Sequence, residues 1–126
     1  MKMEKPCPTV RMNLWLETGD GMFFGLGRML LLKKIEEHGS LKKAAEDLGM
    51  SYRAAWGKIK KSEEVLGEKL TQRSPYKKEG FELTDFGRSI KEGFERWFDA
   101  IEKDAVEKAR ELFPWPIKAY TEPPDK

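Results

Sequence analysis

The spacing of apolar residues changes several times along this chain, and each change marks a new element. From Val10 to Glu17 (VRMNLWLE) apolar and polar residues alternate, the period of a half-buried strand. Thr18-Gly19-Asp20-Gly21 is a turn signal, because glycine tolerates the backbone angles of a tight hairpin. Met22-Phe23-Phe24 reads as the returning strand, ending at Gly25-Leu26-Gly27. The period then becomes three-and-four. It predicts a helix from Arg28 to His38, with Met29, Leu30, Leu32 and Ile35 on its apolar side. His38, the only histidine, stands at that helix end beside Gly39, where it complements the helix dipole. Catalysis by it would need a partner base or nucleophile, and the sequence offers none.

Ser40 to Leu66 (SLKKAAEDLGMSYRAAWGKIKKSEEVL) holds two further helical patterns, each opened by a serine suited to an N-cap. Leu41, Ala44, Ala45 and Leu48 form the buried face of the first; Ala55, Ile59, Ser62 and Leu66 form that of the second. Gly49 suits the positive φ that ends the first helix. Alanines 44, 45, 54 and 55 allow the two helices to cross closely, as in a helix-turn-helix. Tyr52, Arg53, Trp56, Lys60 and Lys61 remain on the outer face, an aromatic and cationic surface suited to a DNA groove. Trp56 has two readings, a DNA contact or a plug in the seam with a neighbouring helix.

Past Gly67, the segments Lys69–Arg73 and Phe81–Thr84 read as two short strands joined by the polar loop SPYKKEG. That is the wing of a winged helix. Thr84 then caps a helical pattern that runs from Asp85 to about Phe113, roughly 40 Å at 1.5 Å per residue. Phe86, Ile90, Phe94, Trp97, Phe98, Ile101, Ala105 and Leu112 keep three-and-four spacing throughout. The later of these lie beyond the reach of a small domain. A second copy of the chain or the N-terminal hairpin must cover them, and the heptad-like spacing favours the second copy. The expected organisation is therefore a leader over residues 1–9, a winged helix-turn-helix with N-terminal hairpin over 10–84, a dimerisation helix over 85–113, and an extended proline-rich tail over 114–126. The fold class is mainly α (α+β).

Charge sharpens this picture. The net charge of the 126 residues is only +2, but Ser40–Lys78 holds ten Lys/Arg against five acids, whereas the chain from Glu79 onward holds eight against twelve. A basic centre beside an acidic remainder suits a phosphate-facing surface carried on something that does not touch nucleic acid. No apolar run approaches the roughly 20 residues that span a membrane, and MKMEKPCPTV lacks the apolar core of a signal peptide. The single Cys7 allows no internal disulfide and fits a reducing cytoplasm. Without Cys or His neighbours it suggests no metal site. No histidine–carboxylate cluster, nucleophile–base pair or phosphate-cradling loop is present, so neither an enzyme nor a cofactor is expected; Gly25-Leu26-Gly27 is too short to be such a loop.

The run LLLKKIEEHGSLKKAAEDLGMSYRAAWGKIKKSEEVLGEKLTQR resembles the N-terminal winged helix of LysR-type regulators. It resembles still more closely the DNA-binding domain of ModE-type, molybdate-responsive regulators. HGSLKKAAEDLGMSYRAAW, LGEKLTQR and LTDFG carry the likeness, together with the hairpin ending at Gly25-Leu26-Gly27-Arg28, and it spans roughly Val10 to Leu112. Two departures stand out. SPYKKEG replaces the glycine-rich wing usual in the ModE-type group, and no molybdate-binding module follows the long helix. Molybdate is therefore not expected to bind this chain.

The resemblance implies a sequence-specific transcriptional regulator that binds double-stranded DNA as a homodimer, a recognition helix in the major groove and a wing on the backbone or in the minor groove. Ser51, Tyr52 and Arg53 begin the recognition helix, and Arg53 is the first choice for reading a guanine. Lys58, Lys60, Lys61 and the wing residues Arg73, Tyr76, Lys77 and Lys78 would bind mostly phosphate, with Ser40 and Lys42 reaching the backbone from the preceding helix. Trp56 completes the DNA set. Phe94, Trp97, Phe98, Ile101, Ala105 and Leu112 would form the dimer face. The rival reading is a winged helix used for protein contact, with another subunit on the long helix.

Overall fold

The structure, a computed structural model, describes residues 6–78 and 80–120. In chain order its elements are β1 (Thr9–Val10), β2 (Trp15–Thr18), β3 (Gly21–Gly25), α1 (Leu26–His38), α2 (Leu41–Asp47), α3 (Tyr52–Leu66), β4 (Thr71–Arg73), β5 (Phe81–Leu83), α4 (Asp85–Leu112) and β6 (Lys118–Ala119). They fall into two compact units, Leu14–Glu95 and the described residues of Met1–Asn13 with those of Arg96–Lys126.

In the Leu14–Glu95 unit, β2 and β3 form an antiparallel hairpin, with Trp15 opposite Gly25 and Thr18 opposite Gly21. Because α1 starts at Leu26, β3 has no residue left to pair with Asn13 or Leu14. The strand expected over Val10–Glu17 is interrupted for that reason, and residues 11–14 are irregular.

Helix α1 buries Met29, Leu31, Leu32 and Ile35. Leu31 is fully buried and Leu30 only half-buried, a reversal of the expected pair. Leu31 stands one turn before Ile35, whereas Leu30 is turned about 140° from it around the axis. Gly39 closes the helix at φ 66°, its N–H bonded to the Ile35 carbonyl at 2.7 Å.

The helix-turn-helix follows the expected local chemistry. The Ser40 hydroxyl accepts the Lys43 N–H at 3.2 Å and the Ser51 hydroxyl accepts the Ala54 N–H at 3.0 Å, so both serines cap their helices. Leu41, Ala44 and Ala45 of α2 and Ala55, Ile59 and Ser62 of α3 are buried, while Leu48 and Leu66 are half-buried. Ala54 departs from expectation. It is exposed, because Ala55, about 100° further round the helix, occupies the crossing.

The wing strands pair Thr71 with Leu83 and Arg73 with Phe81. The first strand is shorter than the expected Lys69–Arg73, because Thr84 takes the carbonyls before it: its hydroxyl donates to Lys69 O at 2.7 Å and its N–H to Leu70 O at 3.0 Å. The same hydroxyl accepts the Gly87 N–H at 2.9 Å and so caps α4. Phe24, Leu31, Leu32, Ile35, Leu41 and Leu70 make the centre of the core. Phe94 joins them, its ring edge-on to Phe24 at 5.5 Å.

The other unit holds β1 and β6 in parallel, Thr9 beside Lys118 and Val10 beside Ala119. Lys118 N–H donates to Pro8 O at 3.1 Å and Tyr120 N–H to Val10 O at 3.2 Å. The Arg11 guanidinium stacks 4.2 Å over the Tyr120 ring. The tail expected to be extended instead bends at residues 113–115, and it is a strand only at Lys118–Ala119, paired with the end of the leader. The parts of both segments at residues 1–5 and 121–126 lie outside the described residues.

Candidate nucleic-acid interface

Four elements of the Leu14–Glu95 unit converge on one cleft of about 340 Å³. Its walls are the N-terminal ends of α2 and α3 and the wing strands, represented by Ser40, Lys42, Tyr52, Arg73 and Phe81. The two serine caps fix this geometry, since each sets where its helix begins. The Phe81 N–H donates to the Gly39 carbonyl at 3.0 Å and ties the second wing strand to the junction before α2. Sequence reasoning assigned Ser40, Lys42, Tyr52 and Arg73 to DNA, and the fold brings all four together here.

On α3, Ser51, Tyr52, Arg53 and Lys58 are exposed, with Tyr52 retaining 51% of its surface. Ala54 and Gly57 lie exposed among them, so the helix presents a low backbone between its longer side chains. Trp56 is half-buried: its ring meets Phe81 edge-on at 5.9 Å, and the Lys60 ammonium lies 4.7 Å above it. Its ring thus packs against the wing residue Phe81. Lys60 is also 3.7 Å from Glu63, and the Lys61 ammonium donates to the Asp20 carbonyl at 3.1 Å. Lys60 and Lys61 are therefore engaged within the chain.

On the wing, Tyr76 is 94% exposed and Lys78 is exposed. Lys77 turns back, so that its Nζ would stand 3.9 Å from a β-carbon at Gly39, near the C-terminal end of α1. A cation there complements the helix dipole. His38 serves the same helix end differently from expectation, pairing its Nε2 with Asp47 Oδ2 at 2.6 Å and so joining α1 to α2. That contact, with Lys34 at 3.6 Å adding charge, holds the Asp47 carboxyl below its ordinary value.

Two buried polar residues escaped the sequence reading of function. Ser62 donates to the Phe23 carbonyl of the hairpin and lies 3.1 Å from the Lys58 carbonyl. Glu63, 8% exposed, accepts the N–H groups of Leu70 at 2.8 Å and Thr71 at 3.4 Å. The signal available was the run Lys60-Lys61-Ser62-Glu63-Glu64, in which polar residues occupy helix positions that must face the protein. Their partners are remote in sequence, and spacing does not reveal them.

Of the residues expected on a dimer face, Phe94 is in the core beside Phe24. In the Arg96–Lys126 segment, Phe98, Ile101 and Ala105 are half-buried, Trp97 is 37% exposed and Leu112 is 74% exposed. Among the described residues, no group of three His, Cys, Asp or Glu side chains is placed to hold a metal ion. No helix among the described residues is long and apolar enough to cross a membrane.

Comparison with known proteins finds relatives of the same fold. Residues 26–88 match the family described as bacterial regulatory helix-turn-helix protein, lysR family. The molybdenum transport protein ModE of Azotobacter vinelandii is 36% identical over 77 residues, which are 60% of this chain and 28% of that protein. The chain thus spans little more than a quarter of that relative's length. Among solved structures, the CbnR DNA-binding domain in complex with DNA superposes with a TM-score of 0.57 at 22% identity, covering 69% of this chain and 97% of that one. The BenM DNA-binding domain with its benA site 1 DNA gives a TM-score of 0.57 at 19% identity, covering 72% and 99%.

Proposed function

We propose, from the premise that this chain belongs to the lysR family of bacterial regulatory helix-turn-helix proteins, that it is a sequence-specific, double-stranded DNA-binding transcriptional regulator acting as a homodimer. The family is one of regulators and not of enzymes. The observation that carries the reading is the cleft itself, where the exposed first turn of α3 faces Arg73 of the wing and Lys42 of α2. Helix α3 enters the major groove, with Tyr52 and Arg53 at base edges. Arg53 is exposed, and its planar fork suits the O6 and N7 of guanine. Arg73, Lys42, Lys58, Tyr76 and Lys78 meet the backbone, where each phosphate neutralised adds affinity without sequence choice. The DNA complexes of the CbnR and BenM DNA-binding domains share this fold, which supports the same use of the helix.

Two copies joined along α4 present two recognition helices to a pseudo-palindrome, with half-sites about 34 Å apart or a multiple of that. Such a protein works in the cytoplasm, beside the DNA. The likeness to ModE covers only 28% of that protein, so it carries no molybdate role over to this chain. The test is a fluorescence-anisotropy titration against a random-sequence duplex pool at two salt concentrations, with the bound fraction sequenced. Enrichment of a palindromic motif is expected. Salt-sensitive binding without enrichment overturns sequence reading, and no binding at low salt overturns DNA binding in favour of a protein-contact module.

A further inference from the structure

The recognition helix and the wing are joined at their roots by one buried carboxylate. Glu63 sits on the inward side of α3, four residues past Ile59, and its side chain is 7% exposed. Glu63 Oε2 accepts the backbone N–H of Leu70 at 2.8 Å and of Thr71 at 3.4 Å, the two residues from which β4 leaves. Lys60 and Lys69 each stand 3.7 Å from Oε1, so the opposite oxygen is also occupied. Charge-assisted bonds of this kind are short and directional, and removing the acceptor strands buried N–H donors.

The same node is held from its other side. Leu70 O accepts the Thr84 N–H at 3.0 Å, and Leu70 itself is 1% exposed. Nothing in the node touches the cleft, yet Arg73, two residues beyond Thr71 on β4, lines it opposite Tyr52. Side chains two apart on a strand share a face, so the placement of Thr71 dictates that of Arg73.

We infer that Glu63 is a positioning residue that sets the distance between the base-reading end of α3 and the phosphate-binding Arg73, so that the two bind DNA as one unit. The inference rests on the DNA-binding reading given above. Glu63 contacts no DNA in this arrangement; it acts through β4.

A double-mutant cycle tests it. Glu63→Ala removes the clamp, and Glu63→Gln, which keeps one acceptor, is the milder variant should Glu63→Ala not fold. Affinity for duplexes enriched by the wild-type chain is measured for wild type, Arg73→Ala, the Glu63 variant and the double variant, at a temperature where circular dichroism shows all four folded. Arg73→Ala is expected to weaken wild-type binding about tenfold but the Glu63 variant less than about twofold. Backbone amide exchange at Leu70–Arg73 should accelerate in the Glu63 variant while Leu31 and Leu32 keep wild-type protection. Equal Arg73 losses in both backgrounds, or unchanged exchange at Leu70 and Thr71, overturn the inference and leave Glu63 a purely structural residue. A wild-type chain that binds no duplex overturns the regulator reading, and this inference with it.

Discussion

Gly87 lies against the backbone of Leu70 so closely that a β-carbon there would overlap the Leu70 carbonyl oxygen and stand 2.9 Å from its carbonyl carbon. Gly87 is in the first turn of α4, and Leu70 precedes the first wing strand. The approach lets Thr84 bond Leu70 from one side while Glu63 bonds it from the other. Backbone cannot rotate away as a flexible side chain can. Gly87→Ala should therefore cost about 3 kcal/mol or more of unfolding free energy, the upper range for overpacking. Urea denaturation followed by tryptophan fluorescence measures this. A loss under about 1 kcal/mol would mean that the helix and strand separate easily.

Arg53 is the sharpest test of base reading. It is exposed on the first turn of α3. Arg53→Ala is expected to weaken the preferred duplex by ~1–3 kcal/mol and to relax selection at one base position. Repeating the pool selection with the variant reads both effects. An equal loss on every sequence would reassign Arg53 to the phosphate backbone.

Gly57 offers a test in which fold and function move in opposite directions. A β-carbon at this position would meet nothing within 4 Å, so packing does not require a glycine. Glycine in a helix interior is less favourable than alanine by about 0.8–1.0 kcal/mol. Gly57→Ala should raise stability by up to that amount in thermal unfolding. If the low ridge at Ala54 and Gly57 faces the groove floor, the same change lowers DNA affinity. Improved stability with unchanged affinity would move that part of α3 away from the DNA.

The local features of this fold were legible in the sequence. Ser40, Ser51 and Thr84 were readable as caps because each hydroxyl meets an N–H three residues ahead. Gly49 was readable as a positive-φ stop, which it is at φ 68°. Contacts across long separations were not. Ser62 reaches Phe23, 39 residues earlier, and β1 meets β6 more than 100 residues later through two-residue strands too short to carry a pattern. Leu30 and Leu31, adjacent leucines of equal hydrophobicity, differ only in the direction each faces, which depends on the neighbours of α1. In the candidate site, residue types pointed to the cations, but only the fold separates Arg53 and Arg73 from Lys60 and Lys61, which are held by Glu63 and Asp20.

Acid should weaken the fold through Glu36. The Lys91 ammonium bonds its carboxylate at 2.6 Å, and Arg88 lies at 3.2 Å; Lys91 first and Arg88 second hold the Glu36 carboxyl below its ordinary value. A carboxyl depressed in the folded state stabilises it above the unfolded value, about 4.3, and loses that contribution as pH falls through the folded value. Asp47, depressed chiefly by its bond from His38, has the same sign. The melting temperature should therefore drop below about pH 4.3 more steeply for wild type than for Glu36→Gln. The variant should be less stable at neutral pH, because it leaves the buried Lys91 ammonium with only the more distant Glu95 carboxylate, at 3.9 Å. Parallel pH profiles would remove Glu36 from the acid response.

The dimer reading predicts where charge is intolerable. Helix α4 has 28 residues, roughly 42 Å, and its portion from Trp97 onward repeats apolar residues at Trp97, Ile101, Ala105 and Leu112. These steps of four, four and seven keep one face of a helix, the pattern by which two helices pack along each other. Leu112 is 74% exposed within one chain, and Ile101 and Ala105 are half-buried. An exposed leucine alone means little; its place at the end of a continuous stripe is what points to a second copy. Wild type is expected to sediment as a dimer, and Ile101→Glu with Leu112→Glu as a monomer whose association is weaker by at least about 100-fold, because each carboxylate would be buried unpaired. Circular dichroism should show this double variant still folded, since its core around Phe24, Leu31 and Phe94 is intact. The monomer should also bind a single half-site and lose preference for the palindrome. A wild-type chain that is monomeric at concentrations where it binds DNA would remove α4 from the interface.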